Sequence, residues 1–379
     1  MLPAPLADRP SLADVLPGLL SAVTGEPNRL ALPTASKGVV VLVDGLGTAA
    51  LKARLGHART LGAALAAGGA SIQSGFPTTT AAALATLTTG TPPGQHGLVG
   101  YSVLDADNDR VVNQLTGWDD RLDPLTWQRE ATVFERARAA GLRATAIGPE
   151  RYRDSGFTTA VLRGADYVAG ARIADRVSAA LDWLASPGDG ILYLYVPELD
   201  VAAHASGWQS PQWTTRLEEF DGALRTLVAG VPRDAGVLVT ADHGVVDVPA
   251  SGHLIIEAGS DLLDGVRFIA GEPRCLQLHV EQTLSAADRD ALVQRWRDSE
   301  SSRAWVATRA EAIDAGWFGS VDPAVLPRIG DVIVAARKAV AYYDESPLAQ
   351  RGRSMVGQHG SWSTEEARVP LLRFGAFAS

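Results

Sequence analysis

Three aspartates each stand just after a run of apolar residues typical of a buried strand. They are Asp44 after residues 39–43, Asp200 after residues 191–196, and Asp242 after residues 237–240. A single aspartate in such a position most often caps the helix that follows. Capping is a poorer explanation for three such aspartates together, one of which is followed by a histidine. The carboxyl ends of parallel strands meet at the edge of a sheet where ligands bind. We therefore expect the three carboxylates to meet in one site.

Three histidines occur in patterns that suit metal binding. His204 lies four residues after Asp200, which places both side chains on one face if the segment is helical. His243 directly follows Asp242, and His359 lies in a Gly-Gln-His-Gly turn. Carboxylates and imidazoles bind Zn²⁺ and similar divalent ions, and the histidines favour Zn²⁺ over Mn²⁺ or Fe. Two ions that shared these ligands would suit in-line displacement at phosphorus.

A threonine-rich segment offers a hydroxyl nucleophile. Residues 76–83 read Phe-Pro-Thr-Thr-Thr-Ala-Ala-Ala, and the alanines predict a helix that runs to about Thr89. A threonine at a helix N-terminus is ordinarily only a cap. The same N-terminus also offers free N–H groups and a positive dipole to an anion. A metal ion beside the hydroxyl of Thr80 would lower its pKa and make it a nucleophile.

The chain alternates apolar strand-like runs with alanine-rich helical segments. The runs lie at 39–43, 143–147, 191–196 and 237–240, and the helical segments at 48–68, 79–89, 131–140, 170–186 and 211–229. This alternation predicts an α/β fold with a doubly wound, mostly parallel sheet and helices on both faces. Between 266 and 325 shorter pieces alternate and charge density rises. That segment is predicted to be an inserted α+β cap on a core formed by 1–265 and 326–379.

Composition argues against several classes of partner. The formal net charge is −9, which disfavours a nucleic-acid groove and an anionic membrane surface. No run approaches the roughly 20 apolar residues of a membrane span, and the N-terminal segment lacks the pattern of a signal peptide. The single cysteine, Cys275, allows no intrachain disulfide. We expect a cytoplasmic protein, and the sequence indicates no oligomeric state.

The order of the motifs resembles the type I phosphodiesterase/nucleotide pyrophosphatase family of the alkaline phosphatase superfamily. The strand–Asp–Gly motif of that family reads Val-Val-Val-Leu-Val-Asp-Gly here and includes Asp44. Its Pro-Thr-x-Thr motif is matched at 77–80, and its Thr-Gly-x-x-Pro-x-x-His-Gly stretch at 89–97. The resemblance runs from about 38 to 372. It implies an alkaline-phosphatase-like fold and hydrolysis of phosphodiesters or nucleotide pyrophosphate bonds.

The resemblance also implies a site for two divalent ions, with Zn²⁺ expected. One ion would be held by Asp44, Asp242 and His243, and the other by Asp200, His204 and His359. Thr80 would lie between the ions as a metal ligand and would attack phosphorus, giving a covalent phosphothreonine. His96 matches only a structural turn of the family.

One position departs from the family pattern at the substrate. Well-known pyrophosphatases of the family carry an asparagine about twenty residues after the nucleophile, and Tyr101 stands there in this chain. The tyrosine hydroxyl could donate the same hydrogen bond to a phosphate, or the ring could simply pack. Asn113 is an alternative donor. The expected substrate is a small-molecule phosphate ester, and the departure leaves its class open.

Other functions fit parts of this pattern. A phosphomonoesterase of the same superfamily usually needs an extra cation near the nucleophile. No Lys or Arg occurs between Thr60 and Asp109, so Arg110 or Arg274 would have to serve. A phosphonate hydrolase is a further alternative within the superfamily. A metal-binding protein without turnover would keep the ligands and lose the nucleophile, but Thr80 is present.

Overall fold

A computed structural model describes residues 1–6 and 8–378. The strands, in chain order, are β1 Lys37–Val43, β2 Ala70–Gln73, β3 Ser102–Asp105, β4 Arg110–Asn113, β5 Arg143–Gly148, β6 Asp166–Ala169, β7 Gly190–Val196, β8 Ala235–Thr240, β9 Val246–Asp247, β10 His253–Ile255, β11 Val266–Glu272, β12 Cys275–Val280, β13 Ala304–Thr308, β14 Val332–Ala336, β15 Ala341–Tyr343, β16 Gly357–Gln358 and β17 Arg368–Gly375.

Helices occupy most of the connections between these strands. The α-helices are α1 Val15–Thr24, α2 Thr48–Ala53, α3 Arg59–Ala66, α4 Thr80–Thr89, α5 Pro93–His96, α6 Pro124–Trp127, α7 Val133–Ala139, α8 Gly156–Leu162, α9 Ile173–Ala185, α10 Glu198–Ser206, α11 Pro211–Ala229, α12 Ala286–Glu300, α13 Arg309–Asp314, α14 Pro347–Gly352 and α15 Thr364–Ala367. Short 3₁₀ helices lie at Leu12–Asp14, Leu55–His57, Glu150–Tyr152, Ala250–Gly252, Asp261–Leu263 and Leu326–Arg328. Within the described residues, no helix is both long and apolar enough to cross a membrane.

The central sheet places its most apolar strands side by side. Its order is β2-β17-β8-β1-β7-β5-β6, in which β8, β1, β7, β5 and β6 are parallel. Strand β17 is antiparallel to both of its neighbours. Nearly every residue of β1, β7 and β8 is buried, which explains their continuous apolar runs. The register pairs Val43 with Val196, so the residues that follow these strands emerge at one edge.

Helices cover both faces of this sheet. Lys37 and Gly38 point to opposite sides because they are neighbours on one strand. Gly38 lies against Leu19 of α1, and a Cβ at that position would come within 2.6 Å of the leucine. On the other face, the ammonium of Lys37 donates to the backbone carbonyls of Leu184 in α9 and of Ser186 just after it. The predicted α/β fold, with a doubly wound and mostly parallel sheet, is confirmed.

A second, antiparallel sheet has the order β13-β14-β12-β11-β3-β4. Residues 266–325 contribute β11, β12, β13, α12 and α13 to this layer. On the side away from β12, β11 pairs with β3 through Ser102 and Gly271. Strand β14 lies between β12 and β13 and pairs with both. The predicted boundaries at 266 and 325 therefore enclose only part of the second layer. The division of the chain into core and cap stays a prediction.

A buried ion pair joins the second sheet to the segment that precedes β17. Arg274, in the turn between β11 and β12, donates from Nε and Nη2 to the two carboxylate oxygens of Glu366, each at 2.7 Å. Both side chains are fully buried. Glu366 also accepts a hydrogen bond from the backbone N–H of Ser361 at 3.0 Å. The β11–β12 turn and residues 361–366 are therefore held together as one unit.

Truncation of Glu366 should destabilise the protein strongly. Glu366→Ala leaves Arg274 buried without its partner, and breaking a buried pair in this way lowers the free energy of unfolding by about 3–5 kcal/mol. Urea unfolding followed by circular dichroism measures the change. Glu365→Ala is the matched control because this neighbouring side chain is exposed, and its loss should cost under about 0.5 kcal/mol. Similar losses in the two variants would contradict the role of the pair.

Candidate metal centre

The first group of predicted ligands forms where two parallel strands end. Asp44 directly follows β1, while Asp242 and His243 come just after β8, the neighbour of β1 in the sheet. The metal-binding atoms of these three side chains lie within 4.8 Å of one another, and all three residues are buried. The sheet edge therefore brings together residues that are nearly 200 positions apart in sequence.

The second group forms beside the first, where α10 meets the short antiparallel pair of β9 and β16. Asp200 and His204 lie one turn apart in α10, with Oδ2 of the aspartate 3.2 Å from Nε2 of the histidine. His359 follows β16, whose antiparallel pairing with β9 returns it to the sheet edge. Asp200, His243 and His359 offer ligand atoms within 4.8 Å of one another.

His243 borders both groups of ligands. Its ring stacks on that of His359 with 3.7 Å between the centroids, whereas the rings of His204 and His359 are 5.2 Å apart. The structure thus brings all six predicted ligands into one region. The assignment of His243 to the first ion and of His204 to the second stays a prediction.

Each of the three aspartates has one carboxylate oxygen held by the protein and a second one without a partner. Tyr195 donates its hydroxyl to Oδ2 of Asp44, and two backbone N–H groups donate to Oδ1 of Asp242 at 3.0 and 3.1 Å. Oδ1 of Asp44, Oδ2 of Asp242 and Oδ1 of Asp200 are buried and have no hydrogen-bond partner among the described residues. Such oxygens are costly to bury. Divalent cations would satisfy all three, so the donor set fits the metal that the sequence predicts.

Each of the three histidines is held through Nδ1 by a backbone carbonyl. His204 donates to Gly357 at 2.7 Å, His243 to Gly244 at 3.2 Å, and His359 to Thr78 at 2.8 Å. A histidine whose Nδ1–H donates in this way presents Nε2 as the ligand atom. Nε2 of His243 lies 3.5 Å from Oδ1 of Asp44 and 3.4 Å from Oδ2 of Asp242. The backbone therefore orients all three rings towards the centre.

When no cation is present, burial and mutual repulsion shift the pKa values of the carboxylates. Burial raises the pKa of Asp44 well above its ordinary value, and the charges of Asp242 and Asp200 raise it further. Burial also raises the pKa of Asp242, although the neighbouring His243 offsets part of the rise. For Asp200 and His204 their attraction outweighs burial, so the pKa of Asp200 falls and the pKa of His204 rises to about 9. The metal-free centre therefore holds protons that a bound cation would displace.

Thr80 is the first residue of α4, and its hydroxyl faces the first group of ligands. Its Oγ1 lies 3.2 Å from Nε2 of His243. Thr79 is the extended residue that precedes the helix. Thr78 is engaged elsewhere, because its hydroxyl donates to the backbone carbonyl of Ser361 at 2.7 Å. Thr80 therefore has a hydroxyl that stands beside one of the predicted metal ligands, His243.

Cavities open on two sides of the centre. The larger cavity, about 560 Å³, is bordered by Asp44, Thr80 and Asp200, and most of its wall is aromatic or apolar. Its aromatic residues are Trp118, Tyr152, Phe157, Tyr167, Tyr193 and Tyr195. The smaller cavity, about 360 Å³, opens at His204 and His359. It lies against the second sheet, because β11 supplies part of its wall.

The predicted substrate contacts differ in their surroundings. Tyr101 lines the smaller cavity together with His204 and His359. The side-chain oxygen of Asn113 accepts hydrogen bonds from the backbone N–H groups of Leu115 and Thr116, at 2.8 and 3.0 Å. Asn113 therefore stabilises a turn through its amide oxygen. Substrate binding by either residue stays a prediction.

The two arginines considered for a monoester site are engaged in ion pairs. Arg110 donates to Asp105 and Asp119, and Arg274 forms the buried pair with Glu366. Neither guanidinium is therefore available to a phosphate in this arrangement.

Comparison with known proteins identifies the family. A family model described as type I phosphodiesterase/nucleotide pyrophosphatase matches residues 38–362. The chain belongs to this family. The match confirms the predicted family.

Relatives of this phosphodiesterase-family chain are distant in sequence. An uncharacterised pyrophosphatase/phosphodiesterase of Schizosaccharomyces pombe is 24% identical over 192 residues, which are 48% of this chain and only 38% of the yeast protein. Murine ectonucleotide pyrophosphatase/phosphodiesterase 5 is 15% identical, with a TM-score of 0.68 over 88% of this chain and 87% of its own. Phosphonoacetate hydrolase from Sinorhizobium meliloti 1021 is 17% identical, with a TM-score of 0.70 over 90% and 91%. At such identities the likeness shows the shared alkaline-phosphatase-like fold.

Sequence reasoning missed two polar residues that border the centre of this phosphodiesterase-family chain. Tyr195 lies in the apolar run of β7, and its hydroxyl holds Asp44. The hydroxyl of a tyrosine in a buried strand needs a hydrogen-bond partner, so the sequence alone could have indicated a polar contact for Tyr195. Glu272 ends β11 and is buried, and burial raises its pKa well above the ordinary value. No local pattern marks Glu272, because its position depends on the pairing of the second sheet.

Metal uptake should release protons near neutral pH. His204 has a pKa of about 9 in the metal-free centre, so it is protonated below that pH and must lose its proton to become a ligand. Apparent metal affinity should therefore fall as the pH is lowered below about 9. Titration calorimetry at pH 7 in buffers of different ionisation enthalpy should show release of about one proton from this residue. His204→Gln should reduce the release and His57→Gln should not, whereas equal release from all three proteins would contradict the assignment.

Proposed function

We propose that this chain hydrolyses phosphodiesters at a centre of two divalent ions, with Thr80 as the nucleophile and a covalent phosphothreonine as the intermediate. The observation that carries the proposal is the position of the Thr80 hydroxyl. It lies 3.2 Å from Nε2 of His243, at the start of the buried helix α4 and on the wall of the larger cavity. A nucleophile in that place adjoins both the metal ligands and the space for a substrate.

The six predicted ligands would hold the two ions, and Zn²⁺ is the metal that we propose. Asp44, Asp242 and His243 would hold one ion together with Thr80, and Asp200, His204 and His359 would hold the other. The unpartnered carboxylate oxygens and the three oriented Nε2 atoms support this division. Bound divalent ions lower the pKa of an adjacent hydroxyl and stabilise charge on phosphoryl oxygens.

The reaction then transfers the phosphoryl group twice. Oγ1 of Thr80 loses its proton and attacks phosphorus, the P–O bond to the leaving alcohol breaks, and that oxygen takes up a proton. The first N–H groups of α4 lack carbonyl partners within the helix, so they can stabilise the negative charge on the substrate. Water then attacks the same phosphorus, which releases a phosphate monoester and restores Thr80.

Two observations favour diesters over monoesters. The larger cavity offers an aromatic wall for an organic substituent that stays on phosphorus. Arg110 and Arg274 are both engaged in ion pairs, so the extra cation of a monoester site is not supplied by either. A separate observation concerns the organic substituent and not the choice between diesters and monoesters: an inactive threonine-to-alanine variant of a similar structure, murine ectonucleotide pyrophosphatase/phosphodiesterase 5, is in complex with AMP. A nucleotide substituent or pyrophosphate bond is therefore included in the proposal.

Phosphonate hydrolysis is the second candidate function. The similarity to phosphonoacetate hydrolase, with a TM-score of 0.70 over 90% of this chain, favours its inclusion. The same nucleophile and the same ligands would serve that reaction, with a P–C bond broken in place of a P–O bond.

A hydrolysis screen separates these functions. The metal-loaded protein should hydrolyse bis(p-nitrophenyl) phosphate faster than p-nitrophenyl phosphate, ATP or phosphonoacetate. A chelator should abolish the activity, and Zn²⁺ should restore it. Fastest turnover of the monoester or of phosphonoacetate would replace the diester assignment, and activity that survives complete metal removal would overturn the metal-dependent mechanism.

Loss of either ligand Asp200 or His359 should reduce metal content without loss of the fold. Both stand near strand ends and not among the apolar side chains of the core, so Asp200→Ala and His359→Ala should each lower bound metal by about half. Elemental analysis after dialysis measures the content, and circular dichroism reports the fold. His57→Ala is the control because that side chain is exposed. Wild-type stoichiometry in both ligand variants would remove the second ion from the proposal.

Thr80→Ala should lower kcat by about three orders of magnitude or more while most of the metal remains bound. The six Asp and His ligands stay in place, so the loss reports the missing nucleophile. Thr80→Ser should keep partial activity, because the hydroxyl survives without the methyl group that restricts its rotamer. Thr79→Ala should be mild by comparison. If Thr79→Ala abolished turnover and Thr80→Ala did not, the nucleophile would have to be reassigned.

A further inference from the structure

Arg151 places a positive charge on the wall of the larger cavity. Among the described side chains that line this cavity it is the only Lys or Arg, and the carboxylates on the wall belong to the predicted metal ligands Asp44 and Asp200. Arg151 is exposed and belongs to the 3₁₀ helix Glu150–Tyr152, which follows β5. Strand β5 is parallel to β7 and next to it, so this helix lies at the edge of the sheet where the metal ligands emerge.

The backbone on either side of Arg151 is held by contacts of its own. Arg153 donates from Nε and Nη2 to the two carboxylate oxygens of Glu150, at 2.9 and 3.0 Å. It also donates from Nη1 to the backbone carbonyl of Tyr167 at 2.8 Å. The hydroxyl of Tyr167 donates in turn to the backbone carbonyl of Pro149 at 2.8 Å. The side chain of Arg151 therefore extends from a turn that the protein positions without a ligand.

Arg151 forms no ion pair with a described residue. Its Nη2 donates to the hydroxyl of Tyr152 at 2.9 Å, and its Cζ lies 4.6 Å from the centroid of that ring. Such a contact between a cation and an aromatic ring orients the guanidinium without neutralising it. The charge of Arg151 is therefore available to an anion that enters the cavity.

The larger cavity continues past Arg151 into a groove of about 600 Å³. Arg151, Pro197 and Val201 line both spaces. The described residues that line the groove include neither Thr80 nor any of the six predicted metal ligands. Arg151 therefore stands at the end of the cavity that leads away from the metal centre.

The other charged side chains of the groove are paired among the described residues. The pairs are Arg176 with Glu198, Arg216 with Glu219, and Arg172 with Asp175. The charge that lacks a partner at the junction of cavity and groove is therefore positive. That junction suits an anionic group on a ligand.

Two aromatic rings separate Arg151 from the metal ligand Asp44. Tyr195 donates its hydroxyl to Asp44, and the centroid of its ring lies 5.9 Å from that of Tyr152, the ring on which Arg151 rests. A substituent that begins at phosphorus beside Asp44 and follows these rings brings its far end to Arg151. The atoms next to phosphorus stay at the other end of the cavity.

We propose that Arg151 selects phosphodiesters whose retained substituent carries a carboxylate or a phosphate at the end remote from the scissile phosphorus. The inference rests on the proposed function, since it assumes that this substituent occupies the larger cavity while Thr80 attacks. A guanidinium offers a planar set of donors that matches both anions. The aromatic wall suits the uncharged middle of the substituent. Nucleotides that carry a further phosphate on the retained nucleoside belong to this class.

A series of chromogenic diesters tests the proposal. Each is a p-nitrophenyl alkyl phosphate whose alkyl chain, of varied length, ends in a carboxylate, in a phosphate or, as the neutral reference, in a methyl carboxylate ester. The observable is the ratio of kcat/KM for the anionic ester to kcat/KM for the neutral ester of the same length. In the metal-loaded wild type this ratio should reach about threefold or more once the chain spans the cavity. The terminal group with the higher ratio identifies the preferred anion, and ratios below about threefold for both anions at every length overturn the proposal.

Variants locate the effect at Arg151. Arg151→Gln removes the charge and keeps a donor, so the ratio should fall to near one at the chain length that the wild type prefers. Arg225→Gln removes one charge from an exposed position of α11 that lines neither the cavity nor the groove, and it should keep the wild-type ratio. An unchanged ratio in Arg151→Gln, or an equal fall in Arg225→Gln, overturns the assignment.

The same measurements distinguish failure of this inference from failure of the proposed function. If the metal-loaded wild type hydrolyses none of the esters, the proposed function has failed. If it hydrolyses the neutral esters and the anionic esters gain no advantage at any length, only the role of Arg151 has failed.

Discussion

Three carboxylates buried in one region, where their charges act on one another, are the constraint on which the site depends. Asp44, Asp200 and Asp242 each keep one oxygen without a hydrogen bond among the described residues, and burial opposes the ionisation of all three. Such a group of charges is stable only beside cations or with protons bound. The protein supplies the rest of the arrangement in advance. Tyr195 and backbone N–H groups hold the other oxygens of Asp44 and Asp242, His204 contacts that of Asp200, and backbone carbonyls turn the histidine rings inward.

The parallel sheet solves the problem of assembling these residues from distant parts of the chain. Strands β1, β7 and β8 lie side by side in register, so the segments that follow them leave the sheet at the same edge. The remaining parts are attached to each other through backbone contacts. The backbone carbonyl of Thr78 accepts a hydrogen bond from His359. The hydroxyl of Thr78 accepts one from the backbone N–H of Gly360 and donates one to the backbone carbonyl of Ser361. The segment that carries the proposed nucleophile and the last of the predicted metal ligands are therefore held together by direct hydrogen bonds.

Much of the fold, and the grouping of the six predicted ligands in one region, could be predicted from the sequence, because both depend on local patterns. The apolar run before Asp44 and the spacing of Asp200 and His204 report directly on a buried strand and on one helical turn. The extent of the second layer could not be predicted in this way. Its pairing of Ser102 with Gly271 joins residues 169 positions apart, and no local signal encodes such a partnership. The place of Glu272 beside the centre depends on that pairing and was hidden for the same reason.

The Arg274–Glu366 joint limits how the wall of the smaller cavity can vary among descendants of this chain. A hairpin taken from a relative would carry its own residue at position 274, and a mismatch with Glu366 would leave one buried charge alone. Exchange of the hairpin as a module therefore requires both positions to change together. The hairpin and the segment that carries Glu366 are thus expected to vary as a pair, while the segments after β1 and β8 can stay as they are.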